Sequence, residues 1–140
     1  MKSDTPLEIG KVSQLETREL TRASGEKLSL ARSLSDAFGL SDLLIHLETI
    51  PPGRRASPPH HHTLKEELLL VVSGTPSVWV DGEVRRLEPG DFVGFSADDQ
   101  RDRMMLNNSD APAVIYTIGT NPLEDEVVFA PEAKALEKEK

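Results

Sequence analysis

Three of the chain's four histidines stand together at His60, His61 and His62, with Glu66 and Glu67 shortly after. In an extended segment alternate side chains share a face, so His60 and His62 point one way and His61 the other. A strand entered after a short loop can bring Glu67 to the side of His60 and His62. Two imidazoles and one carboxylate on one wall suit Fe, Mn, Ni, Co or Zn, depending on what completes the shell. A solvated polar loop held by Pro51, Pro52, Pro58 and Pro59 would also account for a bare histidine run. Placement favours a site, because the run is internal and leads into the apolar stretch 68–72.

Other candidates for chemistry are few. There is no Gly-rich phosphate loop and no serine or cysteine nucleophile motif, and with no cysteines neither disulfides nor thiolate zinc sites can form. His46 lies among apolar neighbours and reads as a satisfied core or edge histidine rather than a further ligand. Trp79 reads as sheet packing. Asp98, Asp99 and Asp102 read as a solvated loop, and one of Met104 and Met105 as core.

The elements that must position these groups are short strands. Apolar segments cut by turn residues recur between residues 27 and 129, the pattern of a sandwich or barrel. Strands are predicted over 27–33, 43–50, 66–73, 77–80, 83–87, 92–95, 103–107 and 113–118, with a last one over 126–129. Asp81-Gly82 supplies a hairpin turn between 77 and 87, since both residues reach positive φ at low cost. Pro89-Gly90 forces another reversal. The stretch 68–72 is apolar throughout, which predicts a strand covered on both faces. A short helical turn is expected near 35–38, stopped by Gly39. The stretch 131–140 reads as a frayed helix or loose tail, and residues 1–15 look loose by composition.

The chain of 140 residues fits one domain. Its 24 acidic against 16 basic side chains give a formal charge of −8, which repels phosphate backbones and anionic lipid. No nucleic-acid or membrane partner is therefore expected. The opening residues lack the continuous apolar core of a signal peptide and no window reaches the length of a membrane span, so the expected location is the cytoplasm.

Gly53, then His60-x-His62, four residues, Glu67, six residues and Gly74 resemble the first motif of the cupin superfamily. Pro89-Gly90-Asp91, Phe95, Ala97 and Asn107 resemble its second. The run from Gly94 to Ala97, and that from Asn107 to Pro112, is similar to small single-domain bacterial cupins, some of which are labelled sugar-phosphate isomerases. The resemblance implies an all-β double-stranded β-helix, a jelly-roll barrel with its ligand site inside the mouth. It implies metal ligands at His60, His62 and Glu67, joined by a histidine of the second motif.

That histidine is absent. Counting back four from Asn107 gives Arg103; counting forward from Ala97 gives Gln100 or Arg101. A guanidinium has no lone pair for a metal. Three arrangements stay open: a three-ligand site holding Zn, Fe, Mn or Ni; a metal-free pocket in which Arg103 pairs with Glu67; or both arginines on the rim. In the second, Arg103 or Arg101 could clamp a carboxylate or phosphate of a ligand. The expected organisation is an N-terminal extension over 1–26, a barrel over 27–130 and a charged tail over 131–140. Family analogy adds a homodimer. The expected function is binding of a small polar or anionic metabolite, either as a metal-dependent isomerase of sugar phosphates or as a non-catalytic binding module.

Overall fold

The computed structural model describes residues 2–131, so the tail expected over 131–140 lies, apart from Pro131, outside the described residues. A 3-10 turn at Val12–Gln14 precedes β1 (Arg18–Thr21) and β2 (Lys27–Ser33). The helical turn α1 (Leu34–Ala37) and β3 (Leu43–Ile50) follow, then β4 (His60–His62), β5 (Glu67–Ser73), β6 (Ser77–Val80) and β7 (Glu83–Arg86). The last strands are β8 (Phe92–Phe95), β9 (Arg103–Leu106), β10 (Ala113–Thr120) and β11 (Val127–Phe129). They form two antiparallel sheets, ordered β1-β2-β3-β10-β5-β8 and β11-β4-β9-β6-β7.

Each predicted strand is present, with ends shifted by up to two residues. Asp81 and Gly82 turn the β6–β7 hairpin with φ of 46° and 96°, the doubly left-handed pair whose twist matches that of the flanking strands. Ser33 caps α1 by accepting from the Asp36 amide at 3.1 Å, and Gly39 ends it at φ 65°. β1 had no strand signal. It joins the sheet by pairing with β2, Arg18 opposite Ala31 and Thr21 opposite Lys27.

The core lies between the sheets. Ile50, Leu69, Val71, Val78, Phe95, Met105 and Ile115 are buried together there. Met104 is also buried, with Trp79 and Leu106 in a second cluster, so both methionines are interior. The β5 expectation needs correction. Leu69 and Val71 face the core, but Leu68 and Leu70 are only half-buried and Val72 is exposed. The physical reason is that only one face of this sheet meets the other sheet, so an apolar run is no proof of two covers.

The same parity orients everything that lines the lumen. Ala113, Ile115, Thr117 and Gly119 of β10 lie opposite Ile50, Glu48, His46 and Leu44 of β3. On the other side Ile115, Thr117 and Gly119 lie opposite Val71, Leu69 and Glu67 of β5. Ile50, Val71 and Ile115 are core residues. Glu48, His46 and Glu67 therefore point inward with them.

Candidate functional site

β4 crosses the mouth of the barrel between β11 and β9, with His60 opposite both Phe129 and Arg103. His60 and His62 share the inner face, their rings 5.2 Å apart edge to face. His61 points away and its Nδ1 bonds Asp102 Oδ1 at 2.9 Å. One ring nitrogen of His60, one of His62 and a carboxylate oxygen of Glu67 lie within 4.8 Å of one another.

The imidazoles are held by their outer nitrogens. His60 Nδ1 lies 2.9 Å from the Pro58 carbonyl, an atom that can only accept, so Nδ1 carries the proton. His62 Nδ1 donates to Asp125 Oδ2 at 2.8 Å. In the neutral form of each ring the lone pair is on Nε2, and His62 Nε2 lies 3.7 Å from Glu67 Oε1. An outer oxygen that fixes the tautomer is the support metal-bound histidines ordinarily have. Burial pushes the His60 pKa down, partly offset by the Pro58 carbonyl, and so favours the neutral ring that ligates.

Asp125 does more than orient one ring. Its Oδ1 also accepts from the amides of Leu64 and Lys65 at 2.9 and 3.0 Å. Burial raises its pKa, but the Leu64 amide, the His62 ring and the Lys65 amide outweigh that and hold it below the usual value. The loop leading into β5 is thereby tied to His62.

Arg103 is buried, 2% exposed, and lines the site from β9. Its guanidinium sits 4.4 Å from the Phe95 ring centroid and gives Glu67 Oε1 a 2.7 Å hydrogen bond. Further bonds run to the carbonyls of Asp99 and Arg101, while Nε–H meets no acceptor among the described residues. Burial raises the Glu67 pKa, but Arg103, with His62 and Lys65, lowers it further, so the carboxylate stays ionised. Glu67 Oε2 accepts no hydrogen bond among the described residues.

Arg101 is not brought to the lumen. Its side chain is 59% exposed and forks onto the Asp99 carboxylate, through Nε at 3.0 Å and a terminal nitrogen at 2.7 Å. The Arg101 guanidinium in turn holds the Asp99 pKa at about 2. Asp99 and Asp102 are thus engaged by Arg101 and His61 rather than simply solvated.

Three lumen residues escaped the sequence. Lys65 lines the chamber beside Glu67, and its ammonium has no hydrogen bond or ion pair of its own among the described residues. It reaches that place over Gly119, where a Cβ would collide with the Lys65 side chain. Nothing local to Lys65 signals this. His46 and Glu48 line the same chamber. Their spacing of two residues puts both on one face of β3, and the pairing with β10 makes that face the inner one.

The donor set, fixed tautomers and free Glu67 oxygen fit a divalent ion with three protein ligands and open positions. The same residues can close on themselves through the Arg103–Glu67 pair.

The sequence from residue 46 to 119 matches the family model described as "Cupin domain". No protein of curated function matches the chain. A sugar phosphate isomerase of a cupin superfamily from Silicibacter pomeroyi is similar in structure: TM-score 0.78 and 25% identity, over 86% of this chain and 80% of that one. A protein of Acidithiobacillus ferrooxidans, provisionally named a sugar phosphate isomerase, has TM-score 0.77 and 28% identity, over 84% of this chain and 76% of that one. The polyketide cyclase RemF of Streptomyces resistomycificus shares the fold, with TM-score 0.74 and 15% identity, over 96% of this chain and 94% of that one. With two antiparallel sheets around an inward-facing His60, His62 and Glu67, and a family match spanning more than half its length, the chain belongs to the cupin family.

Proposed function

We propose that this cupin takes a small anionic, hydroxylated metabolite into its lumen and, with a divalent ion at His60, His62 and Glu67, acts on it as an isomerase of sugar phosphates. The observation carrying this reading is the pair of imidazoles whose Nδ1 atoms are committed to Pro58 and Asp125, leaving both Nε2 lone pairs beside Glu67. A bound ion would supply Lewis acidity toward a carbonyl or hydroxyl oxygen of the ligand. Lys65 and the unmet Nε–H of Arg103 are suited to hold a phosphate or carboxylate. The names of the Silicibacter and Acidithiobacillus proteins support the substrate class.

A second reading has its own observation. The 2.7 Å Arg103–Glu67 bond is the contact expected of a metal-free binding pocket, with the histidines as hydrogen-bonding groups. Elemental analysis of untagged protein separates the two. The first reading expects about one equivalent of Zn, Fe, Mn or Ni, and its loss in His62→Ala. A native protein without metal that still binds its ligand establishes the second.

We also propose that two copies of the chain associate. Supporting this are the outward rows of the six-stranded sheet, where Phe92 pairs with Leu70 and Leu70 with Tyr116, and Leu68 pairs with Ile118. Phe92 is 65% exposed and the others are half-buried in the single chain.

A further inference from the structure

We propose that His46 and Glu48 form a second polar station in the lumen, which binds hydroxyl groups of the ligand and selects a polyhydroxylated chain over a bare anion. The inference rests on reading the lumen as a ligand site, and it concerns residues that neither hold the metal nor touch the Arg103–Glu67 pair.

Both side chains leave β3 on the inner face, Glu48 opposite Ile115 and His46 opposite Thr117. Glu48 is fixed from two sides. Ser29 Oγ of β2 donates to Oε1 at 2.6 Å, and Thr117 Oγ1 of β10 donates to Oε2 at 2.7 Å. Two hydroxyl donors, one from each neighbouring strand, hold the carboxylate in a single orientation. Each oxygen keeps a lone pair for another donor. His46 stands two residues away on the same face, and its imidazole makes no hydrogen bond among the described residues although it is half-buried.

Their position gives this chemistry a purpose. His46 and Glu48 line the chamber of about 250 Å³ that holds His60, His62 and Glu67. They also line an adjoining space of about 460 Å³ that runs past Arg18 and Asp36. The pair therefore forms part of the wall of both spaces, within reach of a ligand in either. An anionic group there would face the Glu48 charge, whereas a hydroxyl can donate to Glu48 and exchange a hydrogen bond with His46. The anion belongs instead near Lys65, and the hydroxylated part of the ligand at the station. A group that only stabilised the fold would need no open lone pairs and no unpartnered imidazole facing a cavity.

Side-chain nitrogen–proton correlation spectra of the full chain test this, with the His46 signal identified by its absence in His46→Gln. The probes are aldose and alditol phosphates of three to six carbons, with inorganic phosphate as control. At least one sugar or alditol phosphate should move the His46 signal, and inorganic phosphate should not. For that probe, Glu48→Gln and His46→Gln should each weaken binding about tenfold, the effect of one hydrogen bond to a charged or buried partner. Inorganic phosphate affinity should be unchanged in both variants. If Glu48→Gln fails to fold, His46→Gln carries the affinity comparison. The inference is overturned if no probe moves His46, or if the variants weaken phosphate and sugar phosphate alike. Metal content measured on the same samples keeps the two readings apart: a metal-free protein whose His46 still responds refutes the metal and leaves the station standing.

Discussion

Asp125 bonds the His62 ring and the amides of Leu64 and Lys65, so one carboxylate sets the orientation of that ring and the path of the loop bearing Lys65. With the proposed ion bound, Asp125→Asn should lower metal affinity about 10- to 100-fold, the usual effect of losing a partner behind a ligating histidine. Competition against a chromophoric chelator measures this. Asp99 offers a pH test away from the lumen. Its pKa is depressed from 3.8 to about 2, chiefly by the hydrogen bond from Arg101. A depressed carboxylate contributes stability that is fully present above its unfolded pKa and is lost as pH falls through the folded one. Asp99→Asn should therefore cost stability at neutral pH, and the gap to the native chain should close between about pH 4 and pH 2. Urea unfolding at stepped pH reads this directly; a gap that persists at pH 2 would assign the effect to something other than ionisation.

At the scale of elements, the glycines of two strand regions separate stability from function. Gly74 follows β5 at φ 77°, and a Cβ there would meet the Pro112 carbonyl oxygen and the Ala113 backbone. Backbone cannot yield cheaply, so Gly74→Ala should destabilise by about 2–3 kcal/mol. Gly119 in β10 is a milder case, since the nearest obstacle to a Cβ is the far end of the Lys65 side chain, with the Glu66 carbonyl oxygen next at 3.1 Å. Gly119→Ala should cost less stability than Gly74→Ala while displacing the ammonium, and so weaken phosphate binding; calorimetry and a phosphate titration report the two effects. Strand identity was legible because β2, β3, β6 and β8 carry dense apolar patterning between turn residues. β1 was not, because Arg-Glu-Leu-Thr on an edge has three exposed positions in four and takes its conformation from pairing with β2.

At the scale of the whole molecule, the outer apolar rows on β3, β5, β8 and β10 are the feature a single chain leaves open. Sedimentation should give twice the chain mass of 15.4 kDa, and Leu70→Glu with Phe92→Glu should return one chain mass without unfolding it. Among the described residues no helix is long and apolar enough to cross a membrane. The sequence alone determined the cupin framework and the sharing of one face by His60 and His62, and it narrowed the place of the missing histidine to Gln100, Arg101 or Arg103. These follow from strand parity and motif spacing, which are local along the chain. Only the tertiary structure decided that Arg103 grips Glu67 while Arg101 turns out to Asp99, that Lys65 reaches the lumen over Gly119, and that His46 and Glu48 face it. Those placements depend on which strands lie side by side, a matter of pairing across tens of residues that no local pattern encodes.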